Sequence, residues 1–302
     1  MENNDKPIFG RKTFFLNPPL NIENFIMDSL KSDEYEVYSI PDYSIAKPLL
    51  GMNPDSILFV YIDDLLPLQT WFNFIKSFQK DENVKNVRIG ILSNKIKAEQ
   101  KEKLNEELKL QAGIVSLDQK PQQLLKQIND TLDLNDAKGV RKVIRLDLKN
   151  CKDVNGYFAY SSLLHSFRLV DISSVGFAAV MPVNMTKFIK KDTRLENVSI
   201  TMGRYSFVCT VKIYNLKIEG NVCTIVAIYD EKTSDMTKLK IHNFVFENLE
   251  DRNKQLMDTL PRDNRDYSKY VEEDEKEKDE LNDKDVQEID SQVEIFNPEN
   301  NK

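Results

Sequence analysis

GVRKVIRLDLKN, residues 139–150, is where the pattern of this chain changes and its fold is decided. Ile144, Leu146 and Leu148 alternate with Arg145, Asp147 and Lys149, the period of a strand with one buried face. Arg145 therefore points away from the core, and Arg141 lies in the connector just before the strand. Gly139 is well placed to end a preceding helix, because glycine accepts the left-handed conformation that closes one. Before this stretch, helical and strand periods alternate; after it, strand follows strand. A boundary between two domains of different class is expected here.

Working outward toward the amino terminus, KTFFLN (12–17), EYEVYSI (34–40), SILFVYI (56–62), VRIGILS (87–93) and GIVSL (113–117) read as strands. Between them, NIENFIMDSL carries Ile22, Phe25, Ile26 and Leu30 at helical spacing, and LQTWFNFIKSFQ puts Trp71, Phe74, Ile75 and Phe78 on one face. KAEQKEKLNEELKLQ is a charged helix supported by Glu and Lys at neighbouring turns. QQLLKQINDTL turns Leu124, Leu125, Ile128 and Leu132 inward. Five strands alternating with helices predict an α/β, doubly wound parallel sheet. A short segment between the second and third strands carries no assigned element.

Toward the carboxyl terminus the strands are IRLDLKN, FRLVDIS, FAAVMPV, NVSITMG, SFVCTVKIYNLKI and VCTIVAIYD. A small closed antiparallel β-barrel is expected, since closure removes exposed edges. Ile241, Val245, Leu249, Leu256 and Leu260 then mark an amphipathic helix. The domains are read as a lead at 1–11, the α/β domain at 12–135, a connector at 136–145, the barrel with its helix at 141–260, and a tail at 261–302.

The formal net charge of −7 is concentrated in that tail, which holds fifteen Asp and Glu against seven Lys and Arg. The remainder carries 34 acids and 35 bases, so a general nucleic-acid surface, which needs broad phosphate neutralisation, is not expected. The tail is poor in core residues, and disorder is its expected state. The apolar runs fall short of the roughly 20 residues a membrane helix needs, and the start lacks the marks of a secretory signal; a cytoplasmic location is expected. Cys151, Cys209 and Cys223 form no CxxC pair, and only His165 and His242 are present. Neither a disulfide framework nor a metal site is expected. No nucleophile with its base and no phosphate-cradling glycine loop is apparent, so the chain is not expected to be an enzyme.

The polar residues near the boundary suggest a ligand. In LVDISSVGF, residues 169–177, alternation puts Asp171 and Ser173 on one face and Val170 and Ile172 on the other. Gly176 lets the backbone turn or come close to a ligand. Two guanidinium forks, a carboxylate, a hydroxyl and a permissive glycine suit a phosphorylated guanine. Arginine bonds guanine O6 and N7 or clamps phosphate, and a carboxylate accepts from the guanine amino edge. Either motif alone is common; their order, spacing and context carry the reading.

At these residues the sequence resembles the PilZ family of cyclic di-GMP receptors, whose signature is R-x-x-x-R followed by (D/N)-x-S-x-x-G. Here it reads RKVIR and DISSVG, with a terminal helix HNFVFENLEDRNKQ, and the resemblance covers about 139–260. It implies that Arg141 and Arg145 grip phosphates and guanine, while Asp171, Ser173 and Gly176 shape the base-binding floor. One ligand or an intercalated pair is left open. Lys142 and Ser174 have no assigned role.

The first domain resembles a response-regulator receiver, but a degenerate one. Asn17 and Pro18 stand where a receiver's Mg²⁺-holding acidic pair belongs. The phosphate-acceptor position falls near Val60, and Asp63 would serve only if the third strand were longer than the pattern indicates. Ser93, Lys120 and Pro121 match later family positions. Docking to a protein partner or dimerisation is the expected role, with phosphorylation at Asp63 or Asp64 and a ligand-free adaptor as the alternatives. Motility, adhesion or surface polysaccharide output is the process the resemblance suggests.

Overall fold

The computed structural model describes residues 8–149, 151, 154–160 and 162–269. Of these, 8–14, 19–39 and 128–260 pack as one compact unit and 15–18, 40–127 and 261–269 as another.

Strands β1 (Thr13–Leu16), β2 (Val37–Ile40), β3 (Ile57–Tyr61), β4 (Arg88–Ser93) and β5 (Gly113–Ser116) form the expected parallel sheet, in the order β2-β1-β3-β4-β5. Leu58 and Phe59 pair in parallel with Ile89 and Gly90, and Gly90 pairs with Gly113. Every β3 residue through Val60 is buried, as a sheet covered on both faces requires. The connections are a π-helical turn at Ile22–Met27 running into α1 (Asp28–Ser32), then α2 (Tyr43–Gly51), α3 (Leu68–Gln79), α4 (Ala98–Leu108) and α5 (Pro121–Leu134). Trp71, Phe74, Ile75 and Phe78 on α3 are buried as their spacing predicts.

Helix α2 occupies the segment left unassigned. Asp42 caps it by accepting from the Ser44 amide at 2.9 Å, but Pro48 inside it signals a break. Proline has no amide to give the carbonyl four residues back, that of Ser44. The Asp263 amide donates there instead, at 2.7 Å.

That bond belongs to the segment read as the start of a disordered tail, which is packed over residues 261–269. Tyr267 is buried with its ring 5.2 Å from Phe74, and the Asn73 side chain donates to the Tyr267 carbonyl at 2.8 Å. An aromatic anchor, the open Ser44 carbonyl, the Asn73 amide and the ion pairs of Arg262 with Asp42 and Arg265 with Asp81 hold a segment whose average composition is that of a solvated chain. The rest of the tail, 270–302, lies outside the described residues.

The second sheet contains β6 (Leu146–Asp147), β7 (Val154–Tyr160), β8 (Leu163–Ser173), β9 (Gly176–Pro182), β10 (Arg194–Met202), β11 (Tyr205–Glu219) and β12 (Val222–Tyr229). Its order is β6-β8-β7-β10-β11-β12-β9, and β8 also pairs with β9. Six antiparallel strands thereby close into the expected barrel, with β6 added outside β8. Strand β7 was not anticipated: Asn155-Gly156 has the look of a turn. Gly156 sits opposite Phe167, and a Cβ there would come within 2.1 Å of that ring, so the glycine makes room for a core aromatic. Helix α6 (Asp235–Thr259) follows, capped by Ser234, whose side chain accepts from the Thr237 amide. Ile241, Phe244, Val245 and Phe246 are buried; Leu249 is only partly so.

Candidate functional site

The alternation around Arg145 appears in the structure: Leu146 and Leu148 are buried while Arg145, Asp147 and Lys149 are exposed. Leu146 pairs with Ile172 and Asp147 with Asp171 across β6 and β8. Two carboxylates opposed across a strand pair repel, and the arrangement draws cations and amides to them. Arg145 approaches Asp171 at 3.6 Å, and the Lys149 amide donates to Asp147 at 2.8 Å.

Strict alternation fails within β8. Its register with β9 shifts between Leu169 and Asp171, so Val170 is the extra residue of a bulge. Leu169 and Ile172 are both in the core, whereas Val170 does not share the face of Ile172 as expected. The bulge reverses the phase and turns Asp171 toward Arg145; bulges re-aim side chains in this way.

Ser173 and Gly176 are used internally. The Ser173 side chain is buried, and its hydroxyl donates to the Gly176 carbonyl at 3.0 Å. Gly176 faces Ile228 on β12, and a Cβ there would lie 2.1 Å from the Ala227 carbonyl oxygen. The backbone that comes close to Gly176 is thus a neighbouring strand.

Arg141 and Arg145 line one cleft together with Phe9, Arg11, Glu34, Glu36 and Lys138. The Arg141 guanidinium lies 4.6 Å from the centre of the Phe9 ring, and the Lys138 amine lies 3.9 Å from that of Tyr35. Cation–π contact holds a guanidinium in place without neutralising it. Glu36 is engaged by the Tyr38 hydroxyl at 2.7 Å and by Lys12 at 3.4 Å. Four cations against two carboxylates make this a positive site on a near-neutral body, suited to an anion.

Glu34, Ser174 and Phe9 have no part in the sequence reading. The Ser174 hydroxyl donates to Glu34 at 2.6 Å, and the Ile144 amide donates to the same carboxylate at 2.9 Å. These contacts span more than a hundred residues, and no local pattern signals them.

In the other unit, β3 ends at Tyr61 and Asp63 lies just past it. Its carboxylate accepts from the Ser93 hydroxyl at 2.5 Å and the Asn94 amide at 2.7 Å. Among the described residues no group of His, Cys, Asp and Glu could hold a metal ion, and no helix is long and apolar enough to cross a membrane.

No protein-family model matches the sequence, and no curated protein matches it. Among solved structures, the chain is similar to the PilZ domain of YcgR from Escherichia coli with c-di-GMP, at 15% identity and a TM-score of 0.35. That match covers 40% of this chain and 98% of that one. The K. pneumonia MrkH–c-di-GMP complex is similar at 15% identity and a TM-score of 0.36, covering 39% of this chain and 56% of that one. The Bacillus subtilis inhibitor of motility MotI is similar at 9% identity and a TM-score of 0.31, covering 37% and 52%. The matches span about half the length of these two longer proteins.

Proposed function

We propose that this chain is a non-enzymatic, PilZ-type effector that binds cyclic di-GMP in the cleft of Arg141 and Arg145. The observation that carries the reading is that both arginines line one positive cleft while Asp171, from the second motif, is turned toward Arg145. Each phosphodiester of the ligand carries one negative charge, and a guanidinium binds such a group with two parallel hydrogen bonds. Arg145 meets Asp171 beyond hydrogen-bond reach, so it can change partners. Asp171 then accepts from a guanine amino edge. Ser173 and Gly176 contribute by holding the β8–β9 turn.

Residues 136–145 serve as the connector between an α/β domain at 12–135 and the barrel at 141–260. Ligand binding there would favour one arrangement of this connector, and a ligand shifts an equilibrium only by such differential affinity. The parallel-sheet domain presents the output surface to a protein partner or to a second copy in the cytoplasm. A phosphorylation-controlled reading is less well supported, because the Asp63 carboxylate is already bonded by its own chain.

Calorimetric titration with cyclic di-GMP, with GTP as control, tests the reading. Saturable binding is expected for the parent protein, and Arg145→Ala should weaken it by ~1–3 kcal/mol, the worth of one bidentate contact. No binding at tens of micromolar, by the parent or by variants with Glu34 or Glu36 neutralised, overturns the reading and makes the barrel a docking module.

A further inference from the structure

Glu34 takes one donor from each of the two motif segments. Its carboxylate accepts from the Ile144 amide, which lies between Arg141 and Arg145, and from the Ser174 hydroxyl, which lies between Asp171 and Gly176. It lines the same cleft as the two arginines. We propose that Glu34 is a built-in competitor for the anion site: its carboxylate holds the donors that a phosphodiester of the ligand would use, and ligand binding must displace it. The inference rests on the cyclic di-GMP reading above.

Three further observations support it. Glu34 follows α1 with a left-handed backbone, φ 61°, a conformation that suits Gly or Asn and costs other residues energy. An acid at such a position is held by its side-chain contacts. His242 of α6 stands 4.0 Å from the carboxylate and contacts the Lys31 carbonyl at 3.0 Å, so α6 holds the end of α1 beside Glu34. The neighbouring acid, Glu36, has different partners, Tyr38 and Lys12. One acid bridges the motifs and the other does not.

A site whose competent state is partly blocked binds with apparent affinity reduced by the blocked fraction. Removing the block therefore tightens binding. Titration of the full chain with cyclic di-GMP compares the parent with Glu34→Gln, Glu34→Gly and Glu36→Gln. Glutamine keeps the side-chain length without the charge, and glycine suits the backbone. Both Glu34 variants are expected to bind about tenfold tighter than the parent, the effect of losing one charge-assisted contact, with a smaller gain for Glu36→Gln, which changes the charge of the cleft but frees no donor of either motif. Binding by the Glu34 variants alone supports the same conclusion. Equal gains for Glu34→Gln and Glu36→Gln reveal a general charge effect and overturn the competitor. Unchanged or weaker binding by both Glu34 variants, with the parent binding, overturns it while leaving the ligand reading intact. If none of the four proteins binds, the ligand reading itself falls, and the competitor with it.

Discussion

Asp63 and Arg145 are both charged side chains near strand ends, and the protein treats them in opposite ways. Asp63 receives a hydroxyl and an amide on its carboxylate, while the Lys95 amine donates to its carbonyl at 2.5 Å. Arg145 has one ion-pair partner at 3.6 Å, keeps a third of its side chain exposed and borders an open cleft. A charge saturated by its own chain fixes a loop. A charge held loosely among other cations can exchange its partner for a ligand. Position just past a buried strand draws attention to the first group, while the looser bonding belongs to the second.

The strongest challenge to this contrast is at Gly176, a motif residue that the structure places with the fixed groups. Gly176→Ala forces a methyl toward the Ala227 carbonyl oxygen and is expected to cost about 3 kcal/mol of barrel stability by overpacking, read as a lowered denaturant midpoint. An unchanged midpoint with lost ligand affinity would return Gly176 to the ligand side. Next in size, Asp63→Asn sets an amide donor against the Asn94 amide or the Ser93 hydroxyl. A loss of about 1–3 kcal/mol is expected, with cyclic di-GMP titration unaltered; altered affinity would tie the Asp63 loop to the site.

The smallest effect concerns a third charge, Lys47, which is buried but incompletely satisfied. Its amine reaches the Ser77 carbonyl at 3.1 Å and Asp81 at 3.7 Å. Burial, with repulsion from Arg265, brings it down to about 8 from the ordinary 10.5. Between those values the unfolded chain holds the proton and the folded chain does not, so stability rises with pH across that window; below it both states are protonated and the slope vanishes. A gain of about 1 kcal/mol from pH 8 to 9.5 is expected in urea unfolding, and Lys47→Met should remove it. A slope that survives this change excludes Lys47 as its source.

Much of this architecture is legible in the sequence because it is periodic. The apolar face of α3, the buried run of β3 and the alternation at Leu146 and Leu148 each follow from one element's own spacing. What escapes is whatever depends on a distant partner. Pro48 discourages a helix that Asp42 caps and Asp263 completes. Gly156 has the look of a turn until Phe167 occupies the space above it. Val170 breaks the alternation through a bulge that only its pairing with β9 reveals. In the candidate site, Arg141, Arg145 and Asp171 stand out by spacing and motif. Glu34 does not, because its partners lie 110 and 140 residues away.

The bond from Asp263 to Ser44 also carries a consequence for how the chain is made. Its neighbour, Arg262 with Asp42, joins residues 220 positions apart, and the whole barrel lies within the loop they close. As synthesis proceeds from the amino terminus, α2 emerges early with one carbonyl still wetted by solvent, and its partner emerges only after α6. Closing so long a loop adds little entropy beyond that of a shorter one, since the cost grows only logarithmically, but it cannot happen before the distal segment exists. A ribosome-stalled chain lacking residues beyond 260 would therefore carry an unfinished α2, and a hydrogen bond of an early-made helix would wait for a segment made after the whole barrel.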